Sequence, residues 1–311
     1  MFGVALLSYR DKHELSQEEM VGLLVRLDES LSNLDRVTYS RWERGVTNPS
    51  LDKKYTILKN LYLFDALFQE LEAGNESEKV NQQSVLNKRY TNSRLGVDAL
   101  YHRKSKQVCY IVTEFLSSEE YVFFSNYGEK VYDHELSFEG AKEFNDKALS
   151  NYHYTFYDDK DLLIGHMFCH ITVKENVTEL IPALENSTIV KTNEKVLFVG
   201  NVYSTSHRVT LVHFYFIKEL LISDIDIGFI YTQVFHEAIL RFFQLLGGKV
   251  VSKGEPSDMG VSYKNKKYKW IGIVMPSDGF LKYNALTPID KPVYLNKIDN
   301  ENHMIGLESE D

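Results

Sequence analysis

The sequence predicts two structural classes in one chain: an N-terminal all-α bundle, then an α/β domain, a mixed sheet with flanking helices. Three observations predict this. Apolar residues recur at helical spacing through the first 71 residues, with cap-forming residues at the helix starts. A polar stretch over 72–94, poor in large apolar side chains, reads as a linker. From 95 to 290, short apolar runs of strand length alternate with helical segments, the pattern of a sheet packed on helices. The 311 residues are ample for two domains, and 43% hydrophobic with 25% charged residues is an ordinary globular composition.

Each element follows in order. Phe2, Val4, Ala5, Leu6 and Leu7 open the chain. Ser16 with Glu19 three residues on forms a capping box, and Met20, Leu23, Leu24 and Leu27 then share a helix face. Asp35 caps a helix running to about Arg44, which Gly45 stops. Asn48-Pro49-Ser50 starts a fourth helix carrying Tyr55, Leu58 and Leu61, and Phe64–Leu71 continues helical. Past the linker, Val108–Thr113 reads as a strand, and Ser117–Phe124 and Phe138–Leu149 read as helices. Tyr152–Tyr157 and Leu162–Val173 form a hairpin over Asp158-Asp159-Lys160-Asp161. Then come a strand (Lys195–Tyr203), a helix (Ser206–Ile222), a strand (Ile225–Thr232), a helix (Phe235–Leu246) and strands at Lys249–Ser252 and Tyr268–Val274. Residues 291–311 end in Glu308, Glu310 and Asp311 and read as a frayed acidic tail.

Leu15-Ser16-Gln17-Glu18-Glu19, Thr38-Tyr39-Ser40-Arg41-Trp42-Glu43-Arg44-Gly45 and Asn48-Pro49-Ser50 resemble the Cro-like (phage-repressor) helix-turn-helix family over residues 1–71. The resemblance implies binding to double-stranded DNA. On the helix after Asp35, residues 36, 37, 40, 41 and 44 fall on one side, and Tyr39 and Trp42 face the core. Arg36, Ser40 and Arg41, with Val37 beside them, are the base-edge candidates; Gln17, Arg44, Asn48 and Lys53 are the phosphate candidates. Thr47 belongs with the phosphate set, and Glu43 is expected to pair with a basic residue inside the domain. Val25–Leu34 makes the connection ahead of the recognition helix about eight residues longer than in the family.

From Tyr152 onward the element order resembles the GNAT superfamily of N-acyltransferases, on Tyr154-Thr155-Phe156, Leu163-Ile164-Gly165, Val196-Leu197-Phe198-Val199-Gly200, Phe214 and Leu245-Leu246-Gly247-Gly248-Lys249. The resemblance implies a ligand cleft between the 195–203 and 225–232 strands, with Val202, Tyr203, Arg208 and His236 as ligand candidates and acyl-CoA as the conceivable cofactor. The departures fall at the chemistry. His207-Arg208-Val209-Thr210-Leu211-Val212 stands where the family has a glycine-rich pyrophosphate loop, and Phe243 stands where a tyrosine often serves as general acid. The domain is therefore expected to keep the fold and to have lost acetyl transfer, with no catalytic residue assigned. His166 and His170, four apart on a strand with Cys169 between them, read as sheet positions and not as metal ligands; His207 and His213 have no metal spacing, and no metal or other cofactor is expected.

The formal net charge is −9, yet in residues 1–63 basic and acidic side chains balance, so the acid lies in the rest of the chain. Cys109 and Cys169 form no CxxC pair, no apolar run reaches bilayer length, and the apolar start at Met1–Leu7 is too short for a leader; a cytoplasmic protein without membrane contact is expected. The leading functional expectation is a sequence-specific transcriptional regulator, a homodimer on DNA, whose second domain senses a small-molecule or acyl ligand. The alternatives are an N-acyltransferase tethered to a DNA-binding module, and a phage or toxin–antitoxin regulator that captures a protein partner.

Overall fold

The structure is a computed structural model that describes residues 1–72, 84–85, 108–132, 145–178, 189–204, 206–283 and 292–294. The chain divides into two compact units, Met1–Lys79 and Val80–Asp311. Most of the linker expected at 72–94 and most of the helix expected at 138–149 lie outside the described residues.

The first unit is helical: α1 (Phe2–Lys12), α2 (Gln17–Leu27), a 3₁₀ turn (Glu29–Leu31), α3 (Arg36–Glu43), α4 (Leu51–Asn60) and α5 (Phe64–Glu72). Side chains fix the helix starts. The Glu19 amide donates to Ser16 Oγ at 3.2 Å while the Ser16 amide donates to Glu19 Oε2 at 2.8 Å, a complete capping box. Asp35 Oδ1 accepts from the Thr38 amide at 2.6 Å, and Ser50 Oγ from that of Lys53 at 3.4 Å. At the end of α3, Gly45 takes φ +68°, the Gly45 amide donates to Trp42 O and the Val46 amide to Arg41 O. That is a Schellman motif, and glycine meets its left-handed position without a Cβ clash. The lengthened connection is ordered by Asp28, whose Oδ1 accepts from the Ser30 amide at 2.8 Å and starts the 3₁₀ turn. Leu31 from that turn is buried with Phe2, Leu6, Met20, Leu24, Tyr39, Trp42, Tyr55 and Leu58. Gly3 lets α1 approach α3 backbone to backbone, since a Cβ there would lie 2.5 Å from Trp42 O.

The second unit is built on an eight-stranded sheet. Its strands are β1 (Cys109–Thr113), β2 (Ser150–Tyr157), β3 (Leu163–Val173), β4 (Lys195–Ser204), β5 (Ile227–Val234), β6 (Lys249–Lys253), β9 (Ile271–Pro276) and β10 (Val293–Tyr294), in spatial order β10-β1-β2-β3-β4-β5-β9-β6. The helices are α6 (Ser118–Tyr132), α7 (Lys174–Thr178), α8 (His207–Ser223), α9 (Glu237–Leu245) and α10 (Ser277–Leu281). The β2–β3, β3–β4, β5–β9 and β6–β9 ladders are antiparallel, and β4–β5 is parallel across the α8 crossover. α8 packs on one face, with Phe216 stacked on Tyr154 at 4.5 Å and Phe214 on Phe242 of α9 at 5.2 Å. On the opposite face Phe124 of α6 meets His166 and Phe168.

Two expectations change. Part of the tail expected to fray, Val293–Tyr294, pairs in parallel with Cys109–Tyr110 at the sheet edge, where strand hydrogen bonds offset the cost of ordering it. The single strand expected over 268–274 is two, because the chain leaves a separate antiparallel ribbon, β7 (Pro256–Tyr263) with β8 (Lys266–Tyr268), before entering β9. No described helix is long and apolar enough to cross a membrane.

Candidate functional site

In the sheet unit the candidate site is the parting of β4 from β5. The two run parallel and pair from Lys195↔Ile227 to Val199↔Thr232. Beyond that point they separate: Gly200, Tyr203 and Ser204 stay on β3, while Gln233 and Val234 stay on β9. A bulge marks the start of the wedge. His166↔Tyr203 and Phe168↔Gly200 leave Asn201 and Val202 as the extra length of β4. A bulge increases local twist and re-aims side chains, and it leaves backbone groups unclaimed by the ladder. At the mouth stands the N-terminus of α8, with Ser206 Oγ accepting from the Val209 amide at 3.3 Å.

The sequence-predicted ligand residues stand on β4 and at the starts of the helices that follow β4 and β5. Val202 lies in the bulge and is half-buried; Tyr203 closes it, buried, with its ring 6.2 Å from that of His166. Arg208 is half-buried in the first turn of α8. His236 is the N-cap of α9, its Nδ1 accepting from the Ala238 amide at 3.1 Å. That bond commits Nδ1 as an acceptor and leaves Nε2 to carry the proton of the neutral ring.

Residues 207–212 stand where the family has its pyrophosphate loop. They are the first turns of α8, inside the helix expected over Ser206–Ile222, with Val209, Thr210 and Val212 buried. Ser206 caps the helix there, so β-branched residues are packing residues. Gly165 of β3 permits this packing: a Cβ would lie 2.7 Å from Val209 Cγ1 and 2.8 Å from Tyr203 O. Phe243, at the position of the family's acid, is buried beside Phe214 and Phe242 and presents only hydrocarbon.

His153, His166 and His170 share the α6-facing side of β2 and β3, through the pairings His153↔Phe168, Thr155↔His166 and Asn151↔His170. The sequence reading missed His153, which alternation along β2 places on that side. Asn151 Nδ2 donates to Asn145 O at 3.1 Å, so its Oδ1 accepts from His170 Nδ1 at 2.7 Å, and the neutral ring carries its proton on Nδ1. Burial pushes His153 down to about 4 and His170 down to about 3, the latter also under the influence of His153. Among the described residues no three His, Cys, Asp or Glu side chains gather in a way that holds a metal ion.

In the helical unit, α2 and α3 are tied by one carboxylate. Glu43 Oε1 accepts from Arg10 Nε at 2.6 Å and Oε2 from Gln17 Nε2 at 2.6 Å; Gln17 Nε2 also reaches Ser40 Oγ at 3.4 Å. Gln17, a predicted phosphate residue, is thus also an orienting residue, and Ser40 is half-buried against it. Arg36, Val37, Arg41 and Arg44 are exposed along α3, with Asn48 and Lys53 exposed beyond it. Arg36 Nη1 meets Glu18 at 2.9 Å, both side chains about two-thirds exposed, an ion pair weak enough to exchange for another partner. Arg44 Nε donates back to Ser40 O at 3.1 Å.

No family model and no curated protein matches this chain. Solved structures similar to it include FeeM, an N-acyl amino acid synthase from uncultured soil microbes, at 10% identity and TM-score 0.38 over 60% of this chain and 100% of that one. TofI in an apo form is similar at 14% identity and TM-score 0.37 over 58% and 97%. A spermidine N-acetyltransferase from Vibrio cholerae, solved with CoA and spermine, is similar at 11% identity and TM-score 0.31 over 56% and 98%. The strand pairing follows the element order on which the sequence resembles the GNAT superfamily: a hairpin, a parallel β4–β5 pair parted at its C-terminal end, the α8 crossover and a closing antiparallel β6–β9 pair.

Proposed function

We propose that the sheet unit takes an acyl thioester, carried by CoA or a carrier protein, into the parting of β4 and β5 and passes the acyl group to an amine, and that the helical unit attaches this module to double-stranded DNA. The observation that carries the reading is the end of β4–β5 pairing at Val199/Thr232 beside the bulge at Asn201-Val202. An open strand edge offers N–H and C=O groups that an extended, amide-containing donor arm can pair with, as a peptide adds to a sheet edge. The amine nitrogen attacks the thioester carbonyl, the C–N bond forms, the C–S bond breaks, and the amine proton passes to water or to the departing sulfur. A thiol ionises near pH 8.5, so thiolate departure tolerates Phe243 in place of an acid. The test is thiol release from acyl-CoAs of graded chain length and from acyl carrier protein, with amines supplied, beside calorimetry of each donor. Release with stoichiometric amide supports transfer; no binding of any donor overturns it.

A second reading is favoured by the exposed face of α3: the module is a transcriptional regulator and its ligand a signal. Arg36, Val37, Arg41 and Arg44 stand outward on a helix capped at both ends and held by Glu43. Donor binding without turnover, together with protection of a defined DNA site, would select this reading.

A further inference from the structure

The β7–β8 ribbon is used by neither reading. Residues 249–269 hold six lysines, Lys249, Lys253, Lys264, Lys266, Lys267 and Lys269, against two acids, Glu255 and Asp258, in a chain of net charge −9. Lys253, Lys264, Lys266 and Lys267 are exposed. Lys269 meets Glu255 at 3.4 Å, and Lys267 Nζ donates to a backbone carbonyl, Asp258 O, at 3.0 Å. The pairs Tyr263↔Lys266 and Ser262↔Lys267 close a two-residue turn at Lys264-Asn265, with φ of +47° and +64°. A turn with both central residues at positive φ favours Asn-Gly; lysine at its first position departs from that preference and puts a charge at the tip. Lys253 Nζ lies 5.4 Å from the ring centres of both Tyr263 and Tyr268, which fixes the ammonium on one side of the ribbon.

We infer that this ribbon is a docking surface for the phosphate backbone of double-stranded DNA; the inference rests on the reading that the chain binds DNA. Residues 1–72 hold nine basic and twelve acidic side chains, so the helical unit brings no net positive charge to a polyanion. Phosphate neutralisation supplies most non-specific affinity, and Lys253, Lys264, Lys266 and Lys267 make no ion pair with a carboxylate among the described residues. A two-stranded ribbon also has the width a major groove admits.

The test is fluorescence anisotropy of the full chain on a duplex of arbitrary sequence, titrated with salt. Each lost phosphate contact lowers the log–log salt slope by about 0.9. Lys264→Asn with Lys266→Gln and Lys267→Gln should lower it by about 2 to 3 with an unchanged thermal melt, while Lys266→Arg with Lys267→Arg should leave it unaltered. Wild-type binding with the same slope in the Asn/Gln variant overturns the ribbon's role and leaves the α3 reading standing. No duplex binding by the wild type even at low salt overturns both. Loss of acyl carrier protein capture in that variant, with DNA binding intact, reassigns the ribbon to an acidic protein.

Discussion

Glu43 accepts from Arg10 and from Gln17 across 33 and 26 residues of chain, with only 5% of its side chain exposed. Local periodicity placed Tyr39 and Trp42 in the core, but such distant pairing leaves no local signature, so the sequence indicated only that Glu43 has a basic partner. Glu43→Ala strips the partner from a largely covered guanidinium and should cost about 2–3 kcal/mol, read as a lower melting midpoint in Trp42 fluorescence. A change under about 0.5 kcal/mol would show that the network contributes little. The buried histidines give the sheet unit an acid limit. Their folded values, about 4 and about 3, lie below an ordinary 6.5, so the unfolded chain takes up protons first. The stability they contribute is complete above pH 6.5 and is lost as pH falls toward 4 and then 3. Glu120 of α6 offsets part of the shift at His153. His153→Phe with His170→Gln should flatten the melting temperature between pH 7 and 4; an unchanged pH slope would assign the acid limit to other groups.

The helices were legible because their caps are local: Ser16, Asp35, Ser50 and Gly45 act within three or four residues. The β2–β3 hairpin was legible from alternation and its Asp-rich turn. What hid was set by tertiary contact. The bulk at Val209 in the first turn of α8 had no local explanation because it answers to Gly165 of β3, far away in sequence. The β7–β8 ribbon hid because its bulge between Pro256 and Val261 breaks the period of two. Gly165→Ala tests whether the wedge is built on that packing. The new methyl would press Val209 Cγ1 and the Tyr203 carbonyl, where backbone must give way. Overpacking of this kind costs about 1–3 kcal/mol, and donor binding should weaken beyond what the melting shift explains. A fully stable variant with unaltered donor affinity would separate the wedge from this contact.

At the scale of the whole molecule, the two units pose different electrostatic problems. The helical unit holds nine basic against twelve acidic side chains over residues 1–72 and α3 is only eight residues long, so on the proposed DNA-binding reading one copy on one half-site would gain little from phosphate and from base contacts alike. Two copies held together would double the contacts for one loss of translational freedom, which makes a homodimer the expected DNA-binding form. The expectation has a geometric signature. Two recognition helices related by a two-fold axis meet half-sites about 10 base pairs apart, on one side of the duplex. Separating the half-sites by about five further base pairs turns one to the far side and should abolish joint protection; about ten should restore it more weakly. Sedimentation of the free protein should show the dimer, with affinity rising as protein concentration crosses its dissociation constant. A monomer that protects a single half-site regardless of spacing would refute the dimer, and would leave the exposed arginines of α3 and the lysines of the ribbon to account for the whole affinity.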